Sequence, residues 1–128
     1  FIKKNNLIQN VKVIGFKKNP YKYIKHCNLF VLSSRFEGLP NVLLEAITLK
    51  KFVISSDCPT GPNEILNYGK GGLLFKTGNE NDLANKIIYY YTNKKLLNKK
   101  INFAYKNLNR FDYVQNLKKY FELVVNLF

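Results

Sequence analysis

Short apolar runs alternate along this chain with segments of helical period, and turn residues punctuate them. That alternation constrains the fold more than any other feature. Parallel strands can be joined only by a crossover, normally a helix, so the pattern calls for an α/β domain with a parallel sheet flanked by helices. The strand candidates are residues 11–15 (Val-Lys-Val-Ile-Gly), 29–32 (Leu-Phe-Val-Leu), 52–55 (Phe-Val-Ile-Ser) and 71–75 (Gly-Gly-Leu-Leu-Phe). Pro20 opens a short helix over 21–27. Pro40, a residue favoured at the first helical position, opens a mostly apolar one carrying Val42, Leu43, Leu44, Ala46, Ile47 and Leu49. Lys50 and Lys51 suit the negative pole of that helix. Residues 63–68 make one or two helical turns closed by Gly69.

From Asn79 onward the pattern is helix alone. Residues 82–91 place Leu83, Ala84, Ile87, Ile88 and Tyr91 on a helical period, with Asn79 or Asn81 as N-cap. Further helices are expected over 94–107 and 113–127. The last is apolar on one side through Val114, Leu117, Tyr120, Phe121, Val124, Val125 and Phe128. Packing is the expected role of that stripe, with docking on a partner domain as the alternative. Tyr89, Tyr90 and Tyr91 are consecutive and cannot share one helix face, so at least one must be exposed.

At 128 residues with 46% apolar content, the chain is one domain able to bury a single core without disulfides or metal. Its two cysteines, Cys27 and Cys58, form neither a disulfide framework nor a zinc spacing, which points to a reducing, cytoplasmic setting. No apolar run approaches about 18 residues, and residues 1–6 carry no signal-peptide core. Without any Met the chain reads as a piece of something longer. The net charge of +13, from 21 basic and 8 acidic residues, invites a nucleic-acid or membrane partner. Only Arg35 and Arg110 are arginines, however, and lysine abundance is what an AT-rich coding bias produces. Bidentate base and phosphate contacts favour Arg, so nucleic acid is disfavoured. An anionic membrane surface suits scattered lysines better, at roughly 1 kcal/mol for each one near the surface. Peripheral attachment to the inner face of the cytoplasmic membrane is therefore an expectation. His26, alone at the end of a short helix, is read as structural. Gly69-Lys70-Gly71-Gly72 lies between a helix and a strand, the wrong order for a phosphate-binding P-loop, and there is no dinucleotide fingerprint.

Chemistry concentrates in residues 33–46, where a strand hands over to a helix. Glu37 and Glu45 stand eight positions apart. Asn41 and Glu45 are four apart on one helix face, while Glu37 lies in the turn ahead of the first helical N–H groups. Those free N–H groups and the positive end of the dipole make a natural anion site. A diphosphate held there would leave one Glu for hydroxyls on each side. The plainer reading is a solvated helix face beside an ordinary turn.

Taken together, three stretches resemble the C-terminal, nucleotide-sugar-binding domain of the retaining GT-B glycosyltransferases, the group 1 transferases of family four. Residues 11–16 look like the strand that ends beside the nucleobase, 30–46 like the paired-Glu signature, and 57–66 like the following Gly-Pro-x-Glu-Ile loop. Residues 71–82 are similar to the run that closes the sheet, so the likeness covers about residues 7–127. It implies a Rossmann-like parallel sheet forming the C-terminal half of a GT-B fold, truncated at its N-terminal edge and ending in two or three helices. Glu37 would then contact the transferred sugar and rank as the catalytic residue. The backbone N–H groups of Gly38, Leu39 and Asn41 would face sugar and distal phosphate, and Glu45 would accept from the ribose. Phe16 and Lys17 would frame the base.

The implied reaction is a front-face substitution in which the departing diphosphate helps take the acceptor proton, with neither metal nor cofactor. The donor would be a UDP-sugar, a UDP-N-acetylhexosamine by the likeness of residues 60–64, and the acceptor a glycan or lipid of the bacterial cell envelope. The Arg and Lys that grip the diphosphate in the family, and the N-terminal acceptor domain, are expected outside these residues. The chain alone is accordingly expected to bind donor weakly and not to turn over. A non-catalytic Rossmann-like nucleotide-binding module is the alternative.

Overall fold

Three of the apolar runs pair into a parallel sheet in the computed structural model, which describes residues 1–126. Strands β1 (Phe30–Leu32), β2 (Val53–Ser56) and β3 (Leu73–Phe75) stand in the order β1-β2-β3, with Phe30 opposite Val53 and Ile54 opposite Leu73. Helices α1 (Tyr21–His26), α2 (Asn41–Thr48) and α3 (Pro62–Ile65) precede or connect the strands. Helices α4 (Glu80–Thr92) and α5 (Lys94–Lys106), a 3-10 turn (Asn107–Phe111) and α6 (Tyr113–Val125) follow them. The expected fold class, a parallel sheet flanked by helices and ending in helices, is the one observed.

Strand alternation divides the core into two. Phe30, Leu32, Val53 and Leu74 face Ile24, Leu43, Ala46, Ile47 and Ile65, from α1, α2 and α3. Val31, Ile54, Leu73 and Phe75 face Leu83, Ile87, Tyr90 and Leu97, from α4 and α5. Helix α5 serves both sides, with Leu97 and Ile101 in one cluster and Ala104 in the other. Central β2 is buried at every position, which is why its residues show no polar alternation. Its two hydroxyls are satisfied locally: Ser55 Oγ donates to the Ser56 carbonyl at 3.2 Å and Ser56 Oγ to the Ser34 carbonyl at 2.6 Å. Gly72 lets β3 enter close to β2, since a Cβ there would lie 2.7 Å from the Val53 carbonyl oxygen.

Local signals explain most boundaries. Asn79 is the N-cap of α4, its Oδ1 accepting from the Asp82 amide at 2.9 Å, while Asp82 Oδ2 accepts from the Lys76 amide at 2.8 Å. Tyr90 is the buried member of its triplet; Tyr89 and Tyr91 are exposed.

Four expectations change. Residues 11–15 form no strand and are exposed, Val13 by 78%. Among the described residues no strand lies alongside to complete their hydrogen bonds, and β-propensity without a ladder partner forms no sheet. Pro40 is the N-cap, with an extended ψ of 92°, and Asn41 is the first helical residue. The helix expected over 63–68 stops at Ile65, because Asn67 and Tyr68 take left-handed φ values of 46° and 54° before Gly69 at 81°. Finally, α6 buries none of its residues: Tyr120 and Phe121 are each 67% exposed. A periodic pattern specifies an apolar face but not the neighbour that covers it. Leu127 and Phe128, expected in that helix, lie outside the described residues.

Candidate functional site

In open parallel sheets ligands bind beyond the carboxyl ends of the strands, where successive loops converge. Here those ends release residues 33–40 after β1, 57–61 after β2 and 76–79 after β3. The first two loops are tied together. Thr60 Oγ1 donates to the Glu37 carbonyl, and Ser56 Oγ to that of Ser34. Gly61, at φ 84°, fits against the turn so closely that an added Cβ would lie 2.5 Å from Pro40 Cδ and nearer still to the Gly38 carbonyl oxygen. The third loop joins through the Asp57 amide, which donates to the Phe75 carbonyl at 2.8 Å. Motifs remote in sequence thus assemble one surface.

The start of α2 opens onto that surface. It carries no side-chain cap and no acidic residue in its first turn, so the dipole's positive end is left uncompensated by the helix itself. The Leu43 amide donates back to the Pro40 carbonyl at 2.9 Å. Gly38, Leu39 and Asn41 are exposed, Glu37 and Glu45 half-buried. A Cβ added at Gly38 would meet nothing within 4 Å, so packing does not require glycine there.

Asn41 and Glu45 share a groove of about 500 Å³ with Tyr21, Leu44, Thr48 and Leu49. Tyr21 Oη lies 3.4 Å from Glu45 Oε1, a long hydrogen bond across the groove between α1 and α2. Glu37, Gly38 and Leu39 stand in the turn leading into α2 and do not line this groove. Neither do Phe16 and Lys17; Phe16 is 94% exposed on the irregular segment before α1. Tyr21, four residues after Lys17, is the side chain from this region that reaches Glu45. Sequence reasoning missed Tyr21 because only the docking of α1 on α2 brings it there. Arg35 lines a separate recess of about 230 Å³ with Ser33, Phe75, Gly78, Asn79, Glu80 and Leu83. Among the described residues no three His, Cys, Asp or Glu side chains stand together as metal ligands.

A strand-end loop feeding a helix without a side-chain cap, with one glutamate in the turn and another on the helix, sits on a parallel α/β domain. The match to the model for glycosyl transferases group 1 extends over residues 1–107, and the chain belongs to that family. An uncharacterized glycosyltransferase of Methanocaldococcus jannaschii is 49% identical over 88 residues, covering 59% of this chain and 22% of that protein. The N-acetylgalactosamine-N,N'-diacetylbacillosaminyl-diphospho-undecaprenol 4-alpha-N-acetylgalactosaminyltransferase of Campylobacter jejuni is 39% identical over 82 residues, covering 64% and 22% respectively. The chain therefore spans little more than a fifth of the length of these curated relatives. A variant of Staphylococcus aureus TarM in complex with fondaparinux, α-GlcNAc-glycerol and UDP matches with a TM-score of 0.83 at 29% identity, covering 95% of this chain and 25% of TarM. The fold is thus that of the GT-B glycosyltransferases.

Proposed function

We propose that the chain is a single donor-binding domain of a retaining glycosyltransferase that takes its sugar from a nucleoside diphosphate sugar. UDP is the preferred nucleotide and an N-acetylhexosamine the preferred sugar. The reading rests chiefly on the open start of α2, with Glu37 in the turn ahead of it and Glu45 on the groove beside it. The donor diphosphate lies against the N–H groups from Gly38 to Asn41, Pro40 contributing none, where the helix dipole favours the charge that grows as the bond to the sugar breaks. Glu45 accepts from the ribose hydroxyls, a charge-assisted contact, and Tyr21 holds its carboxylate in place. Glu37 accepts from hydroxyls of the transferred sugar. Phe16 and Lys17, on the exposed segment before α1, frame the base.

The protein then acts by position and electrostatics: the acceptor hydroxyl attacks on the leaving-group side and its proton passes to the departing diphosphate. The scheme calls for no metal ion or cofactor. The names of the Campylobacter relative and of the TarM complex support an N-acetylhexosamine donor bound as a UDP-sugar, and the former supports a lipid-linked acceptor. We extend both to this protein, and with them a part in cell-envelope glycan synthesis.

Single substitutions in the full-length protein test the roles. Hydrogen bonds to charged groups are worth about 1.5–3 kcal/mol net. Glu45→Gln is therefore expected to raise the donor KM by about tenfold or more with a smaller change in kcat, and Glu37→Gln to lower kcat at saturating donor. Unchanged steady-state kinetics in both variants would sink the assignment, as would the absence of any transfer by the unmodified protein across a panel of nucleotide sugars.

A further inference from the structure

The opposite edge of the sheet, where the strands begin, has a different chemistry. Residues 66–72 connect α3 to β3 through three successive left-handed residues, Asn67, Tyr68 and Gly69. The turn is closed by the Lys70 amide donating to the Asn67 carbonyl at 3.1 Å and the Gly71 amide to that of Leu66 at 2.8 Å. It is pressed against α5, since a Cβ at Gly71 would lie 3.0 Å from Ala104 Cβ. The result is a groove of about 360 Å³ lined by Lys70 from the turn and Lys99, Lys100 and Phe103 from α5. Lys100 Nζ donates to the Gly69 carbonyl, which fixes that ammonium at the wall and leaves its other two protons for a ligand.

Nothing acidic offsets this charge along the chain: no Asp or Glu occurs between Asp82 and Asp112 or between Glu64 and Glu80. Lys50 and Lys51, just before β2, extend the basic character toward α5, with Lys50 Nζ 4.8 Å from the centre of the Tyr105 ring. Burial, and then the charge of Lys99, lowers the pKa of Lys100. Confining that ammonium beside a like charge is unfavourable in the free protein, and a bound anion would relieve it.

We propose that this groove is a binding subsite for a phosphate group, held by Lys70, Lys99 and Lys100 over the ring of Phe103. Lysines act on phosphate as point charges, so Lys70 from the turn with Lys99 and Lys100 from α5 can hold it without a bidentate fork. The ring gives the subsite an apolar wall, suited to a phosphate ester carried on an organic body. The phosphate can come from a lipid headgroup or from a soluble ester. This site is separate from the strand-end loops and stands whether or not the donor assignment does.

The test uses the full-length protein and two probes: inorganic phosphate, followed through the amide shifts of Lys70, Lys100 and Phe103, and vesicles of phosphatidylcholine with or without phosphatidylglycerol. Lys70→Gln/Lys99→Gln changes two exposed side chains and keeps the Lys100 contact with Gly69. With roughly a fivefold contribution for each lysine near an anionic surface, binding of the responsive probe should fall by about tenfold or more. Lys3→Gln/Lys4→Gln removes the same formal charge elsewhere and should lose much less. Saturable phosphate binding that the groove variant weakens, with vesicle binding unaffected, supports the site with a soluble ester as its source. Loss of phosphatidylglycerol-dependent vesicle binding in the groove variant supports it with a lipid source. Equal losses in the two double variants, or no binding of either probe, overturns it.

Discussion

Two glycines on the strand-end surface make opposite demands on a side chain. Gly61 combines a left-handed φ of 84° with a Cβ position that would strike Pro40 and Gly38. Gly61→Ala should destabilise the fold by more than the roughly 1–2 kcal/mol of the left-handed backbone alone, seen as a lower urea midpoint. Gly38 has open space where a Cβ would go. Gly38→Ala should leave the urea midpoint almost unchanged and, on the proposed donor assignment, still raise the donor KM, because a methyl there would stand where the sugar diphosphate is proposed to approach the backbone. A Gly38→Ala protein with unaltered donor KM would show that nothing comes close to that turn. Both glycines fall in motifs visible in the sequence, but which of them serves packing is a matter of what lies opposite.

At the scale of elements, α4 shows how one helix is seated. Tyr90 stacks on Phe52 at 4.8 Å between ring centres and donates its hydroxyl to the Asn28 carbonyl at 2.8 Å, tying the helix to the residues just before β1. Burial, and then the nearby Tyr91 and Cys27 groups, raises the Tyr90 pKa above its ordinary value near 10. A phenol with a raised folded pKa contributes stability that is complete below the unfolded value and is lost as pH climbs past it. Tyr90→Phe should cost about 1 kcal/mol at neutral pH, as expected for one hydrogen bond. The stability difference between wild type and variant should shrink in urea titrations above about pH 10. The element pattern itself was legible: helical period, a cap at Asn79 or Asn81 and the exposure of part of the Tyr triplet follow from spacing, but the tyrosine packed with Leu83 and Ile87 is Tyr90, not the expected Tyr91. That residues 11–15 stay unpaired and that α6 leaves Tyr120 and Phe121 exposed could not be read, because both depend on neighbours rather than on the segment's own residues.

For the molecule as a whole, the excess of positive charge is the dominant long-range term. Against a net charge of +13, the ion pair found among the described residues is Lys86 with Asp82, at 3.8 Å on the exposed side of α4. Such a pair contributes little, so self-repulsion is largely unopposed. Raising NaCl from a few millimolar to physiological strength shortens the screening length to about 8 Å. The thermal unfolding midpoint should therefore rise with salt over that range; a flat or falling midpoint would mean the lysines are spaced too widely to repel. No helix among the described residues is long and apolar enough to cross a membrane.

The sequence by itself determined the α/β class, the succession of elements from residue 20 onward, the strand-to-helix junction with its two glutamates and the likeness to group 1 glycosyltransferases. Each depends on residues close together along the chain, where period, caps and turn chemistry act. Tertiary structure alone decided that Thr60 and Gly61 brace the Glu37–Pro40 turn, that Tyr21 meets Glu45, and that Lys70 joins Lys99 and Lys100 on the far edge. Those contacts span tens of residues and exist only because the parallel sheet sends every strand's end to one edge and every strand's start to the other.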